Sequence, residues 1–593
     1  MRLRMPTARL CLLAVLVMLA LAPLNAVSAA QQGASRLILT SPLLQSPEPI
    51  TLYTASTGLI ATLDPQVAQD TASIQIIENL FLGLTDFDPQ TNTIRPELAT
   101  SWESNDAGDV WTFTLRADVP WVRYNPTTGE TVEVRKVIAQ DFVYGIRRGC
   151  DPRLGSYYSN IAASIIKGCA EVFNKEADQI STEDFEQIGV RALSDTQLEV
   201  TLQASLGFFL PASSMWIFRA TPRETIEEFG DQWTEPGNIV TNGAFLLQEW
   251  DKPVSRVFVK NPLYVEVHDT YGGNLERIST LVVNDGGTIW SLYQSNQIDI
   301  SDVPEAELAA IRQDEARRTE LRQISDLAVF YFGFYYDKPP FDNVHVRRAF
   351  SAMLDRQTFV TEMLNGSGVP MAHFVPPGIF GAVPINEVGI GQPDSPGFDP
   401  DFARAELAKA GYPNCEGFPT ITLLSTPRRT QWGEYMQNVV NTVLGCPRET
   451  LVLEQAEFTV LLKTISLSTP ANERPHLYLI NWLPDYPDSH NWLHDVLSCE
   501  IDSRPCSEEI DGRIAKAARE SDPEVRRQLY REVEELLFGY EGEFPIMPLF
   551  LDIDIFAVKP WYTAFFETDG LFGGPHWESR RIDQAAQLAA RGN

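Results

Sequence analysis

The segment at residues 481–492 holds two aspartates between aromatic residues, an arrangement suited to capturing a cation. Asp485 follows Trp482 and precedes Tyr486, and Asp488 comes three residues later. An ionised carboxylate accepts hydrogen bonds from an ammonium group, while aromatic rings exclude water and stack on the cation. A short apolar run directly before the segment predicts a buried strand that would hold it in place. The alternative is a proline-rich surface turn in which both aspartates cap the next helix.

Two histidines follow the aspartates at helical spacing. His490 and His494 are four residues apart, so a helix would place both imidazoles on one face near Asp485. Such a pair can bind a transition metal, which makes His490 a candidate metal ligand. A polar pair at the start of a helix also explains the spacing, and we favour that interpretation.

Sequence signatures of catalysis are absent. The chain contains no Gly-x-Ser-x-Gly, no His-Glu-x-x-His and no phosphate-binding glycine loop. Asp485 and Asp488 lie too close together, in a turn with two prolines, to resemble a glycosidase pair. We therefore predict a binding protein without a cofactor rather than an enzyme, with a secreted hydrolase as the distant alternative.

Length, charge and the first residues restrict the class of protein further. A chain of 593 residues is too long for one compact core. Its net charge of −32 argues against nucleic acid or an anionic membrane as a partner. Residues 1–30 have a basic start, a short apolar stretch and small residues at the end, which predicts an export signal. Cys11 lacks the small neighbours of a lipid-modified cysteine, so we expect the protein in the periplasm or outside the cell.

The other six cysteines fall into pairs that are close in sequence. An even number of cysteines in an exported chain predicts disulfides, and zinc binding lacks its usual Cys-x-x-Cys spacing. Many pairings are possible. We favour the three local ones, which are Cys150–Cys169, Cys415–Cys446 and Cys499–Cys506.

Hydrophobic periodicity predicts that strands and helices alternate along the chain. Trp111, Phe113 and Leu115 occupy one face of a predicted hairpin strand. Asp399 and Pro400 are typical of a helix start. The fold class is therefore α/β or α+β.

Several motifs in fixed order resemble one protein family. These motifs are Leu80-Phe81-Leu82-Gly83-Leu84, Pro96-Glu97-Leu98-Ala99, Ala139-Gln140-Asp141-Phe142, Thr241-Asn242-Gly243-Ala244-Phe245, Val346-Arg347-Arg348-Ala349 and Phe544-Pro545-Ile546-Met547-Pro548. Together with the tryptophan–aspartate segment, they resemble the family 5 extracellular solute-binding proteins, which are the peptide, oligopeptide and nickel receptors of ABC importers.

The resemblance implies an α/β clamshell of two lobes, of the type II periplasmic-binding-protein kind. Lobe I would comprise residues 46–325 and 548–593, with an inserted subdomain at about 83–238, and lobe II residues 326–547. Residues 31–45 would form a flexible lead-in. The ligand would bind between the lobes, and a monomeric receptor would deliver it to the membrane permease.

The resemblance also implies a ligand and its contacts. Asp485 corresponds to the aspartate that pairs with a peptide's α-ammonium, with Trp482 and Tyr486 beside it. In nickel-type members a histidine near the position of His490 binds the metal complex. A metal chelate or an oligosaccharide is thus the alternative ligand to a peptide or similar amine.

Lobe II and lobe I would each add further aromatic contacts. The segment at residues 329–336 resembles the strand that lines the family's cleft. Alternation sends Tyr331 and Phe334 to opposite faces of this strand, and which face meets the ligand is open. Trp216 stands where family members offer cleft contacts.

Overall fold

The computed structural model describes the chain from Glu48 onward with a few gaps. The described residues are 48–58, 60–325, 327–392, 395–499, 504, 506–563 and 574–592. The predicted export signal and lead-in lie outside them. None of the described helices is both long enough and apolar enough to cross a membrane.

The strands in chain order are β1 (Thr51–Ser56), β2 (Thr85–Phe87), β3 (Ile94–Pro96), β4 (Ala99–Ser104), β5 (Val110–Leu115), β6 (Pro120–Tyr124), β7 (Thr131–Lys136), β8 (Val190–Ser194), β9 (Gln197–Thr201), β10 (Val240–Thr241), β11 (Phe245–Asp251), β12 (Ser255–Lys260), β13 (Arg277–Val282), β14 (Ile300–Asp302), β15 (Leu321–Ile324), β16 (Val329–Phe334), β17 (Gly368–Pro370), β18 (Gly391–Gln392), β19 (Ser395–Pro396), β20 (Ile421–Ser425), β21 (Leu451–Gln455), β22 (Leu477–Trp482), β23 (Ile546–Asp552), β24 (Asp554–Val558), β25 (Tyr562–Thr563) and β26 (Arg581–Ile582).

The α-helices are α1 (Thr71–Leu80), α2 (Ala139–Gly149), α3 (Ser159–Ile165), α4 (Cys169–Phe173), α5 (Thr182–Glu186), α6 (Phe209–Ala212), α7 (Arg223–Phe229), α8 (Gly286–Gln294), α9 (Glu305–Gln313), α10 (Val344–Ala352), α11 (Arg356–Met363), α12 (Pro400–Lys409), α13 (Thr430–Leu444), α14 (Phe458–Ile465), α15 (Ser489–Leu493), α16 (Glu508–Arg519), α17 (Pro523–Phe538) and α18 (Gln584–Arg591).

The buried apolar side chains form two large clusters, which define two lobes. The first cluster runs from Leu52 to Ile278 and takes in C-terminal residues such as Ile582. The second runs from Leu327 to Leu551. We use lobe I for the elements around the first cluster and lobe II for those around the second. The predicted two-lobed α/β architecture is confirmed.

Lobe I contains several small sheets. Strand β1 pairs in parallel with β13, and the order of that sheet is β1-β13-β12-β11. The order of a second sheet is β4-β5-β9-β8, and that of a third is β10-β6-β7. The alternation predicted in β5 is present, because Phe113 and Leu115 are buried while Thr114 is exposed. This burial on one face lets β5 pack its apolar side chains into the lobe I core.

Lobe II is built on one six-stranded sheet with the order β17-β23-β16-β22-β20-β21. Strand β16 lies inside this sheet, antiparallel to β22 and β23, and all of its side chains are buried. Helix α12 begins as predicted, with Asp399 accepting a hydrogen bond from the Phe402 N–H and Pro400 in the first turn.

The chain returns from lobe II to lobe I near its C-terminus. Strand β23 belongs to the lobe II sheet up to Asp552, and β24 begins at Asp554. Strand β24 then lies between β14 and β15 and pairs antiparallel with both. A single residue, Ile553, therefore separates strands of two different sheets.

Three disulfides join cysteines that are near in sequence. They are Cys150–Cys169, Cys415–Cys446 and Cys499–Cys506, with Cα–Cα distances of 5.4, 5.0 and 4.9 Å. The predicted pairing is confirmed.

Candidate functional site

A turn between β22 and α15 carries the two predicted aspartates, and they have different environments. Asp488 is the N-cap of α15 and accepts a hydrogen bond from the His490 N–H at 3.0 Å. Its carboxylate is buried and forms an ion pair with Arg526 at 2.7 Å. Asp488 therefore fixes the turn, as its predicted capping role requires.

Asp485 is half-buried, and its side-chain partners in the described part of the chain are neutral groups. Its carboxylate accepts hydrogen bonds from the Tyr158 hydroxyl at 2.9 Å and from the Asn491 amide at 3.2 Å. Burial raises the pKa of Asp485 to about 6, and these two hydrogen bonds oppose the rise. Among the described residues, no Lys, Arg or His forms an ion pair with it. Asp485 is thus a carboxylate for which the described residues provide no cationic partner.

Tyr158 reaches Asp485 from the other lobe. It packs against the lobe I core, and its ring meets Trp216 edge-on at 4.8 Å between centroids. Trp216 is itself fixed, because its indole N–H donates to the Ala68 carbonyl at 3.0 Å. Burial and the neighbouring Asp485 raise the pKa of Tyr158, so its hydroxyl remains a donor. The hydrogen bond between Tyr158 and Asp485 thus joins the two lobes.

Aromatic stacking makes a second contact between the lobes. Phe208 of lobe I stacks on Tyr486 at 5.2 Å and on His490 at 4.2 Å, and His490 stacks on His494 at 4.4 Å. The Tyr486 hydroxyl donates to Asp495 at 2.8 Å and lies 2.9 Å from Nδ1 of His490. Since Tyr486 uses its proton on Asp495, His490 donates from Nδ1. Burial lowers the pKa of His490 to about 3, so the ring is neutral.

A cavity of about 570 Å³ opens beside these residues. Strands β16 and β22 form one wall, and Tyr331, Phe334 and Trp482 all line it. Asp495 also lines the cavity, and the Asn491 amide bridges its carboxylate to that of Asp485 at 3.0 and 3.2 Å. Asp485 is therefore connected to the edge of the cavity by hydrogen bonds.

The pairing of β16 with β22 shows which face of β16 borders this cavity. Directly opposed residues in an antiparallel pair project to the same side. Tyr331 is opposite Ile480, and Gly333 is opposite Tyr478. The face of Tyr331 and Tyr478 lines the cavity. Phe334 borders it at the end of the strand, but its ring stacks on Phe341 in the lobe II core at 4.9 Å.

A second cavity, of about 370 Å³, lies in lobe I. Leu52 of β1, Phe258 of β12 and Ile278 of β13 are among its lining residues. It contains none of the site residues predicted from the sequence.

Comparisons with known proteins show the family of the chain. The family model for bacterial extracellular solute-binding proteins, family 5 (middle part), matches residues 93–503. The chain belongs to this family. Among its relatives, the periplasmic oligopeptide-binding protein OppA of Escherichia coli is 27% identical over 86% of this chain and 89% of its own.

Two further relatives extend the comparison. The probable deoxycholate-binding periplasmic protein YgiS of Escherichia coli is 28% identical over 85% of this chain and 88% of its own. The crystal structure of the oligopeptide-binding protein OppAIV from Borrelia burgdorferi has a TM-score of 0.70 and 24% identity, covering 90% of this chain and all of that one. That structure supports the fold.

Within this solute-binding protein, His490, His494 and Asp495 bring ligand atoms within 4.8 Å of one another. A metal ion there would have to replace the hydrogen bond from His494 to Asp495 at 2.8 Å and that from Tyr486 to Asp495. These hydrogen bonds already use the Asp495 carboxylate. The surroundings of His490 in this structure are stacked rings and a hydrogen bond to Tyr486. Its role as a metal ligand stays a prediction.

Sequence reasoning missed two groups at the site. Tyr158 lies 327 residues before its partner Asp485. Arg474, in the loop before β22, lines the cavity and forms an ion pair with Asp337 at 2.6 Å. Neither residue belongs to a recognisable motif. For Arg474 the sequence holds one signal, its position just before a predicted buried strand, whereas Tyr158 has none.

Proposed function

We propose that this solute-binding protein captures a peptide or similar amine-bearing solute between its lobes and delivers it to the membrane permease of an ABC importer. The observation that carries the proposal is Asp485, a half-buried carboxylate between the lobes whose described partners are all neutral. An ammonium group would provide the missing positive charge. The relatives named as oligopeptide-binding proteins support this ligand class.

In this proposal each predicted site residue has a distinct role. Asp485 accepts the ammonium, while Trp482, Tyr331 and Phe334 form the wall beside it. Tyr486 holds the turn through its bond to Asp495, and Trp216 supports Tyr158. On ligand entry the Tyr158 hydroxyl is displaced from Asp485 or shares it with the ammonium.

Isothermal titration calorimetry with a matched pair of probes tests the proposal. Tri-alanine has a free ammonium, whereas N-acetyl-tri-alanine has the same backbone without it. We expect the free peptide to bind and the acetylated one to bind at least about a hundredfold more weakly, since a buried carboxylate without its cation is costly. Equal affinity for the two peptides, or no binding of either, would refute the role of Asp485.

A carboxylated steroid is the second candidate ligand. A relative is named a probable deoxycholate-binding protein, and the aromatic wall of the cavity would suit an apolar ring system. Deoxycholate has no amine, so its binding would not depend on the charge of Asp485. Titration of the protein and of Asp485→Asn with deoxycholate separates this candidate from an amine ligand.

We also propose that lobe I comprises residues 46–325 and 548–593, with the inserted subdomain at about 83–238, and that lobe II comprises residues 326–547. The position of β23 in the lobe II sheet favours moving the return crossing to Ile553. Ligand would close a monomeric clamshell. Small-angle X-ray scattering should then give the mass of one chain and a smaller radius of gyration with saturating ligand, and an unchanged radius would count against closure.

A further inference from the structure

The cavity wall depends on one close approach between β16 and β22. A Cβ atom on Gly333 would lie 2.0 Å from the ring of Tyr478, so only glycine lets this phenol lie across the strand. Tyr331 in β16 and Tyr335 just beyond its end lie two residues to either side of Gly333, and both line the cavity. Three phenols are therefore gathered on one wall of the cavity.

The two carboxylates that line the cavity, those of Asp337 and Asp495, already accept hydrogen bonds. Asp495 accepts from Tyr486, Asn491 and His494. Asp337 accepts from Arg474 at 2.6 Å. A cationic ligand group entering the cavity would thus compete with bonds that are already made.

In contrast, several hydrogen-bond donors on the same wall have no acceptor among the described residues. Within the described part of the chain, the hydroxyls of Tyr331 and Tyr478 make no hydrogen bond, although Tyr331 is only 6% exposed. Nε and Nη1 of Arg474 are buried without a partner, and its guanidinium lies 4.5 Å above the ring of Tyr335. The Tyr335 hydroxyl differs, because it donates to the Ile465 carbonyl at 2.7 Å.

We propose that this cavity is a subsite for a carboxylate of the ligand, bound by the hydroxyls of Tyr331 and Tyr478 beside the ion pair of Arg474 with Asp337. Hydroxyl donors without an acceptor favour a ligand group that accepts hydrogen bonds, and such bonds are stronger when the acceptor is charged. The inference rests on the proposed function, because Asp485 binds the ammonium of the same ligand. The Asn491 bridge between Asp485 and Asp495 puts the two subsites next to each other.

The ligand class that follows is a short peptide with an acidic group near its amino terminus. The ammonium would lie at Asp485 and the acid in the tyrosine-lined cavity. Glutamate and glutamine have nearly the same shape, so comparing them isolates the charge. Moving one such residue through each position of a tri-alanine peptide finds the position that reaches the cavity.

The test is calorimetry with tri-alanine and its single glutamate, glutamine and lysine derivatives, on the wild type and on the double variant Tyr331→Phe, Tyr478→Phe. We expect one position at which glutamate binds at least about tenfold more tightly than glutamine. The double variant should lose this preference. Tyr412→Phe, which removes a hydroxyl from lobe II away from the cavity, should keep it.

Each outcome has a separate meaning. Peptides that bind without a preference for glutamate at any position, or with a preference for lysine, overturn the carboxylate subsite but not the proposed function. A preference that persists in the double variant overturns the role of the two hydroxyls. Failure of every peptide to bind the wild type overturns the proposed function and this inference with it. Circular dichroism on the single variants Tyr331→Phe and Tyr478→Phe identifies any loss of folding.

Discussion

The raised pKa of Asp485 means that the capture of an amine near pH 6 should release a proton. Burial raises the pKa of its carboxyl from 3.8 to about 6 in the ligand-free protein. An ammonium partner favours the ionised form and lowers that pKa again. Binding must therefore expel a proton from the protonated fraction of Asp485, which is about half at pH 6 and about a tenth at pH 7. Affinity should be about tenfold lower at pH 5 than above pH 7.

Calorimetry in two buffers of different ionisation enthalpy measures this proton directly. With tri-alanine at pH 6, the wild type should release about 0.5 proton and Asp485→Asn close to none. The peptide's own amine has a pKa of about 8 and stays protonated throughout, so it does not contribute below pH 7.

Two results would refute this reasoning. One is an affinity of the wild type that does not change between pH 5 and pH 7. The other is the same proton release in Asp485→Asn, which would assign the titrating group elsewhere. His490 is an unsuitable source, because its lowered pKa of about 3 leaves it neutral in this range.

The remaining predictions concern stability. The pKa of Asp485 is higher in the folded protein than in the unfolded chain, so the ionised carboxylate destabilises the ligand-free fold above about pH 6. Asp485→Asn should therefore stabilise the protein by roughly 1–2 kcal/mol at pH 7.5 but not at pH 4, as measured by thermal unfolding. Replacing Cys150 and Cys169 by serine should lower the free energy of unfolding by about 2–4 kcal/mol in urea titrations, and an unchanged midpoint would contradict this. Asp488→Asn keeps a side chain that can cap the helix but leaves Arg526 buried without its anion. We expect the free energy of unfolding to fall by about 3 kcal/mol. A variant as stable as the wild type would show that the ion pair is dispensable.

Much of the local structure could be predicted because it depends on neighbouring residues. The capping role of Asp488 and the disulfides between nearby cysteines follow from sequence separations that a turn or a short loop can close. The alternation in β5 was readable because one of its faces is buried and the other is not. Motif order then identified the two-lobed fold.

The arrangement of the site could not be predicted in the same way. Strand β16 is buried on both faces, so its sequence has no polar side to reveal which face meets the cavity. The answer depends on Gly333 meeting Tyr478 on another strand. The hydrogen bond from Tyr158 to Asp485 likewise joins residues far apart in the chain, brought together only by the packing of two lobes.

The place of β24 has a consequence for how the molecule is made. Strands β14 and β15 do not pair with each other, because β24 lies between them. Residues 325–553 separate β15 from β24, so a ribosome making about 5–20 residues per second synthesises the two strands roughly 10–50 seconds apart. The lobe II sheet has a similar delay, because β23 lies between β17 and β16 and is completed only at Asp552. A chain cut short before β24 would expose two unpaired strand edges, which are templates for aggregation.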